Sequence, residues 1–187
     1  MIFFYGVFLL LVIQRLTELW IAKRNRKWVL ARGGIEIAAH HYPLIVSMHT
    51  AFLISLLAEV MLHGYPVSPW WAALLILMLA VQVLRYWAIA SLGPYWNTRI
   101  FIIPGAKIVQ KGPYLYMRHP NYLAVILEIA LVPLLFEAYV TFFIFSVLNA
   151  LMLRHRIKVE EEGLARFSSY QSDMGNRARF MPGRFKY

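Results

Sequence analysis

Apolar residues in this chain gather in five stretches, at about residues 1–22, 43–63, 68–92, 120–136 and 138–153, and nearly all Lys and Arg fall in alternate connections between them. A helix of about 20 apolar residues matches the roughly 30 Å hydrocarbon core of a bilayer. In lipid every backbone amide must be satisfied within the protein, which leaves helices or closed barrels. Apolar residues make up 60% of the chain, against about 45–50% in soluble domains. The expectation is an all-α integral membrane protein of one domain with five transmembrane helices. The last two, separated by almost nothing, form a tight hairpin.

The charge pattern sets an expected orientation. Lys23, Arg24, Arg26, Lys27 and Arg32 follow the first stretch, and Arg99, Lys107, Lys111 and Arg118 follow the third. Eight more Lys and Arg begin at Arg154, while "HGYPVSP" and the turn near Glu137 carry none. The positive-inside rule then places the N-terminus outside and the long loop and C-terminal tail in the cytoplasm, in the cell membrane if the source is prokaryotic. The first stretch does not read as a signal peptide, because its basic residues follow the apolar run and no small-residue cleavage site appears. The net charge of +10 does not imply nucleic acid: the bases flank membrane spans, where anionic lipid is their partner. There is no cysteine, so thiolate and disulfide chemistry are excluded.

Local signals refine the boundaries. Ser68 and Pro69 read as N-cap and first residue of the third helix. Pro133 is placed to bend the outer end of the fourth. The connection 93–119 is long for a linker and rich in aromatics. Within it "TRIFII" and "AKIVQ", around Pro104–Gly105, predict a small hairpin.

Three groups of residues carry chemistry. His119-Pro120-Asn121-Tyr122 marks a helix start whose leading amides form an anion site. Arg118 and His119 read alone serve equally well as headgroup anchors. Glu128 lies about 12 Å along that helix from its first residue. A carboxylate at that depth must face the interior, be protonated or meet a cation; Arg85 and a cationic ligand are the candidates. Arg15 and Glu18 form a similar set in the first span and suit an i,i+3 pair. Third, in "NALMLRHRIKVEEEG" the 100° periodicity places Asn149, Arg156, Glu160 and Gly163 on one face. Arg154, Lys158 and Glu161 fall on the other, toward water and headgroups. His40, His41, His49 and His63 show no ligand-like spacing, and no metal site is expected.

"GPYLYMRHPNYLAVILE" followed by "RHRIKVEEE", together with "LGPYWNTRI" and the terminal "RFMPGRF", resembles the isoprenylcysteine carboxyl methyltransferase family over roughly residues 85–187. The resemblance implies a membrane methyltransferase that uses S-adenosyl-L-methionine. It makes residues 1–92 a three-helix scaffold and residues 93–187 the cofactor and catalytic region. Carried over by position, the cofactor contacts are Lys107, Ile108, Val109, Tyr114, His119, Pro120, Asn121, Tyr122 and Glu160. The catalytic pair is Arg156 and Glu160, with Arg156 and Asn149 toward the acceptor. Ala124 stands where many members carry Gly. The five spans are fewer than in the eukaryotic enzymes, and "YWNTRI" is similar to bacterial members that methylate alkylpyrones or alkylresorcinols.

The implied acceptor is a hydrophobic, membrane-borne hydroxyl or carboxylate. Membrane lipids are the expected surroundings, and no nucleic acid is implied. Two other readings remain open at this level: a non-catalytic transporter or lipid carrier, and transfer to the nitrogen of a phospholipid.

Overall fold

A computed structural model describes residues 1–181, the side chain of His41 excepted. Pro182–Phe185 of the terminal motif, with Lys186 of the basic tail, lie outside the described residues. The order of elements is α1 (Ile2–Leu30), β1 (Ile35–Ile37), α2 (Tyr42–Leu62), α3 (Trp71–Leu92), β2 (Ile100–Ile102), α4 (Pro120–Leu135), α5 (Tyr139–Phe167) and α6 (Tyr170–Met174). Among the described residues four helices, α1, α2, α3 and α5, are long and apolar enough to cross a membrane; α4 is shorter. The protein is a multi-pass helical membrane protein.

Helices α1 and α5 have 29 residues each, about 43 Å at 1.5 Å per residue. Both outrun a 30 Å hydrocarbon layer. The apolar stretches at 1–22 and 138–153 therefore mark only part of each helix. Their polar continuations, through Leu30 and Phe167, carry the groups that organise the Lys- and Arg-rich end. A three-residue turn joins α4 to α5, with Glu137 at φ +53° and the Ala138 amide donating to Pro133 O at 2.9 Å.

The main core sits at the opposite end. Phe4 and Leu11 of α1, Leu56 and Val60 of α2, Val132 and Leu135 of α4 and Phe145 of α5 pack there. Phe4 meets Phe136 edge-on at 4.9 Å between ring centres. Glu59 of α2 supplies a cap that local sequence does not announce. Its carboxylate accepts from the Val140 and Thr141 amides at 2.9 and 2.8 Å and from Thr141 Oγ1 at 2.6 Å. These are orphan donors at the N-terminus of α5, where negative charge is favoured.

Two local expectations are corrected. Helix α3 begins at Trp71, not at Pro69. Ser68 Oγ accepts from the Trp70 amide at 3.2 Å, and the Ser68 amide donates to Leu135 O at 3.0 Å. Ser68 thus ties the connection to α4 in a turn ahead of the helix. The hairpin within 98–110 does not form either. Residues Ile100–Ile102 pair antiparallel with Ile35–Ile37 in the register Ile35↔Ile102 and Ile37↔Ile100. That pairing takes up one edge of β2. At the intended turn, the Gly105 amide donates to Phe167 O at 2.9 Å instead. Gly163 lets α5 lie close on the ribbon: a Cβ at that position would lie 2.7 Å from Ile102 Cδ1, so the end of that side chain would have to turn away.

Candidate functional site

A cavity of about 360 Å³ runs between the helices, with the 93–119 connection, the start of α4, the polar half of α5 and α6 lining one end. Its other end is lined by α1, α2 and α3 residues, including Arg15, His49 and Arg85. The volume lies within the ~300–1,000 Å³ range of small-molecule sites.

At the basic end α4 and α5 place three polar side chains together. Arg156 Nε donates to Tyr122 OH at 2.8 Å, and the Tyr122 hydroxyl donates to Glu160 Oε2. Arg156 Nη2 donates to Thr98 O at 2.7 Å. The guanidinium is thereby fixed by one side chain and one backbone carbonyl. Asn149, predicted on the same face, is buried and lines the cavity with Arg156 and Glu160. The helical periodicity across "NALMLRHRIKVEEEG" is what brings these residues into register.

Tyr114 is buried and lines the same end. Burial, with Glu160 nearby, pushes its phenol well above the ordinary tyrosine value, so it stays protonated. Ile108 and Val109 are half-buried, and Lys107 is exposed although it borders the cavity. Pro120 opens α4, and no side chain caps that helix start. Asn121 lines the cavity. Its Oδ1 and the Nε1 of Trp96 are buried atoms without a hydrogen-bond partner among the described residues.

His119 is placed differently from a simple ligand contact. It is 5% exposed, its Nε2 lies 2.9 Å from Glu161 Oε1, and its ring stacks on Tyr122 at 5.3 Å. This corrects the expectation that Glu161 faces water. Glu161 does lie across the helix from Arg156, but the start of α4 and the returning tail cover that side. Arg179 Nη2 reaches Glu161 at 2.7 Å and Arg118 Nη1 at 3.2 Å. The tail also holds the backbone: the Arg118 and His119 amides donate to Ala178 and Arg179 carbonyls, both at 3.0 Å. Arg154 and Lys158 remain exposed as expected.

A second charged cluster lies deeper along α4. Glu128 accepts from Arg85 Nη1 and from Arg15 Nη2, both at 2.7 Å. Arg85 also binds Glu18 through Nη2 at 2.7 Å and through Nε. Arg15 Nη1 reaches Glu18 at 2.9 Å, the expected i,i+3 contact. The alternatives left open for Glu128 thus narrow to a protein partner: two arginines hold it, from α1 and α3.

The fold and cavity define a helical membrane protein with a polar pocket at one end of its spans. The chain belongs to the isoprenylcysteine carboxyl methyltransferase family, whose sequence model matches residues 73–166; by family it is a membrane methyltransferase. It is 47% identical to the uncharacterized protein YpbQ of Bacillus subtilis (strain 168), over 88% of this chain and 98% of the relative. An uncharacterized protein of Haemophilus influenzae (strain ATCC 51907 / DSM 11121 / KW20 / Rd) is 29% identical over 88% of this chain and 96% of its own length.

Proposed function

We propose that this protein transfers a methyl group from S-adenosyl-L-methionine to an oxygen of a hydrophobic, membrane-borne acceptor. The observation that carries the reading is one cavity with two unlike ends. One end is formed by the Tyr122–Arg156–Glu160 cluster and the loop; the other reaches the membrane-spanning part of α2 and α5. A polar cofactor and a lipidic acceptor need such a shared chamber with unlike ends. We read α4 as a short fifth crossing in a hairpin with α5, the N-terminus as outside and the basic end as cytoplasmic. On this reading residues 1–92 are scaffold and residues 93–187 hold the chemistry.

The residues fit the cofactor. Asn121 and Trp96 line the cavity, and their Oδ1 and Nε1 are a buried acceptor and donor without a partner among the described residues. The uncapped start of α4 suits a carboxylate, Glu160 suits a cationic centre, and Tyr114 offers an aromatic face. His119 supports this end by stacking on Tyr122. When bound, the cofactor supplies an electrophilic methyl on a sulfonium. Arg156, fixed by Thr98 O and Tyr122, holds the acceptor oxygen in line, and most of the gain is positioning. Asn149 stands on the acceptor side of Arg156. An ionised carboxylate needs no base; for a hydroxyl acceptor Glu160 takes the proton.

The test is titration calorimetry of the detergent-solubilised protein with S-adenosylhomocysteine, followed by mass spectrometry of lipid extracts incubated with labelled cofactor. Binding and label on oxygen are expected. Label on nitrogen would move the acceptor class, and no binding at any concentration would return the chain to a lipid-carrying role.

A further inference from the structure

The deeper end of the cavity is not the plain apolar slot that a hydrocarbon tail requires. Arg15 and His49 line it. Arg15 is the open member of the charged cluster: its side chain is 23% exposed, against 3–5% for Arg85, Glu18 and Glu128. A guanidinium has five N–H donors. Among the described residues Arg15 commits one each from Nη1 and Nη2, to Glu18 and Glu128.

His49 complements it. Its Nδ1 lies 2.9 Å from Ile45 O. A carbonyl only accepts, so Nδ1 carries the hydrogen, and Nε2 of the neutral ring is a bare acceptor. Nδ1 is turned to its own helix, which leaves Nε2 on the side away from it. His49 lies seven residues, about 10 Å of helix, from the start of α2 at Tyr42, a depth close to that of Glu128 along α4. The pair thus offers one acceptor and spare donors at one level of the cavity. A hydroxyl satisfies both, donating its hydrogen to His49 Nε2 and accepting from Arg15.

The level can be placed along α4. Arg15 grips Glu128 at 2.7 Å, and Glu128 follows Tyr122 by six residues, about 9 Å of helix. Between the two levels the cavity is walled by Val125, Met152 and Leu153. A polar cavity wall inside a membrane protein that met only methylene groups would forfeit the hydrogen bonds it has available.

We propose that the acceptor carries two oxygen functions: one held at Arg156 for methylation, and a hydroxyl about 9 Å away, bound by Arg15 and His49 across an apolar section. The inference rests on the methyltransferase reading for the first oxygen only. The site selects an acceptor hydroxylated along its chain over an unsubstituted one.

Titration calorimetry tests this on the detergent-solubilised full chain, saturated with S-adenosylhomocysteine, with hexadecanoic acid and 8-hydroxyhexadecanoic acid as probes. The hydroxy acid is expected to bind about tenfold more tightly, the worth of one or two net hydrogen bonds. His49→Leu is expected to bring the two probes to parity while leaving S-adenosylhomocysteine affinity unchanged. His49→Gln, whose amide oxygen can stand in for Nε2, is expected to restore the preference. Equal affinities in the wild type, or a preference that survives His49→Leu, would overturn the inference. Absence of S-adenosylhomocysteine binding with the probe preference intact would instead sink the methyltransferase reading and leave the hydroxyl subsite standing.

Discussion

The protein carries two clusters of arginine and glutamate along one cavity, and they are built to opposite ends. In the deeper one, Arg15, Arg85, Glu18 and Glu128 tie α1, α3 and α4 together, with two cations facing two carboxylates. Arg85 has all three of its nitrogens engaged. At the basic end, Arg156, Tyr122 and Glu160 are bonded to one another but only half-buried. A charge surrounded by lipid or packed protein must be answered by protein; one beside an open pocket can be answered by a ligand. On the proposed function the same residue types serve mainly as a latch in one place, where Arg15 alone keeps donors for a ligand, and as a binding surface in the other.

Arg85→Leu breaks the comparison most sharply. It leaves two buried carboxylates with only Arg15 between them, and removing one partner of a buried pair costs about 3–5 kcal/mol. The melting temperature in detergent is expected to fall by about 10 °C. A variant that melts like the wild type would show that the deeper cluster is not a latch. Arg156→Ala is the mirror case. Methyl transfer is expected to fall at least about a hundredfold through lost positioning, while the melting temperature moves by less than about 3 °C. A large drop in melting temperature would make the two clusters alike.

Tyr122→Phe sharpens the contrast within the cluster at the basic end. It removes one of the two described partners of Arg156 and leaves Thr98 O in place, so about a tenfold loss of turnover is expected. S-adenosylhomocysteine affinity separates that loss from a folding defect. Lys107→Ala has the smallest expected effect. Its side chain is exposed, and S-adenosylhomocysteine affinity is expected to stay within about twofold, in line with the ~0.5 kcal/mol of an ordinary surface change.

Much of this was legible along the chain. The apolar runs announced the spans, because a bilayer imposes length and apolarity on any helix that crosses it. Helical periodicity put Asn149, Arg156 and Glu160 on one face. Arg15 and Glu18 were visible as neighbours because they share a helix. Arg85 was already a candidate partner for Glu128, as the structure bears out, but most other contacts between distant segments escaped. Nothing local marks Glu161 as the partner of His119 and Arg179, since it sits in a run of three glutamates. Nothing near Glu59 says that it caps α5, and nothing in "TRIFII" names Ile35–Ile37 as its partner strand.

The sequence by itself determined the class of environment, the helical architecture and the polar face of the last long helix, all of which follow from composition and from periods of a few residues. Tertiary structure alone decided how the charges were shared. Glu128 met two arginines at once, and Arg15 and His49 came to line one cavity. The physical reason is that a buried charge is stabilised by whatever packing brings within about 3 Å, and such distances are set between helices rather than along one.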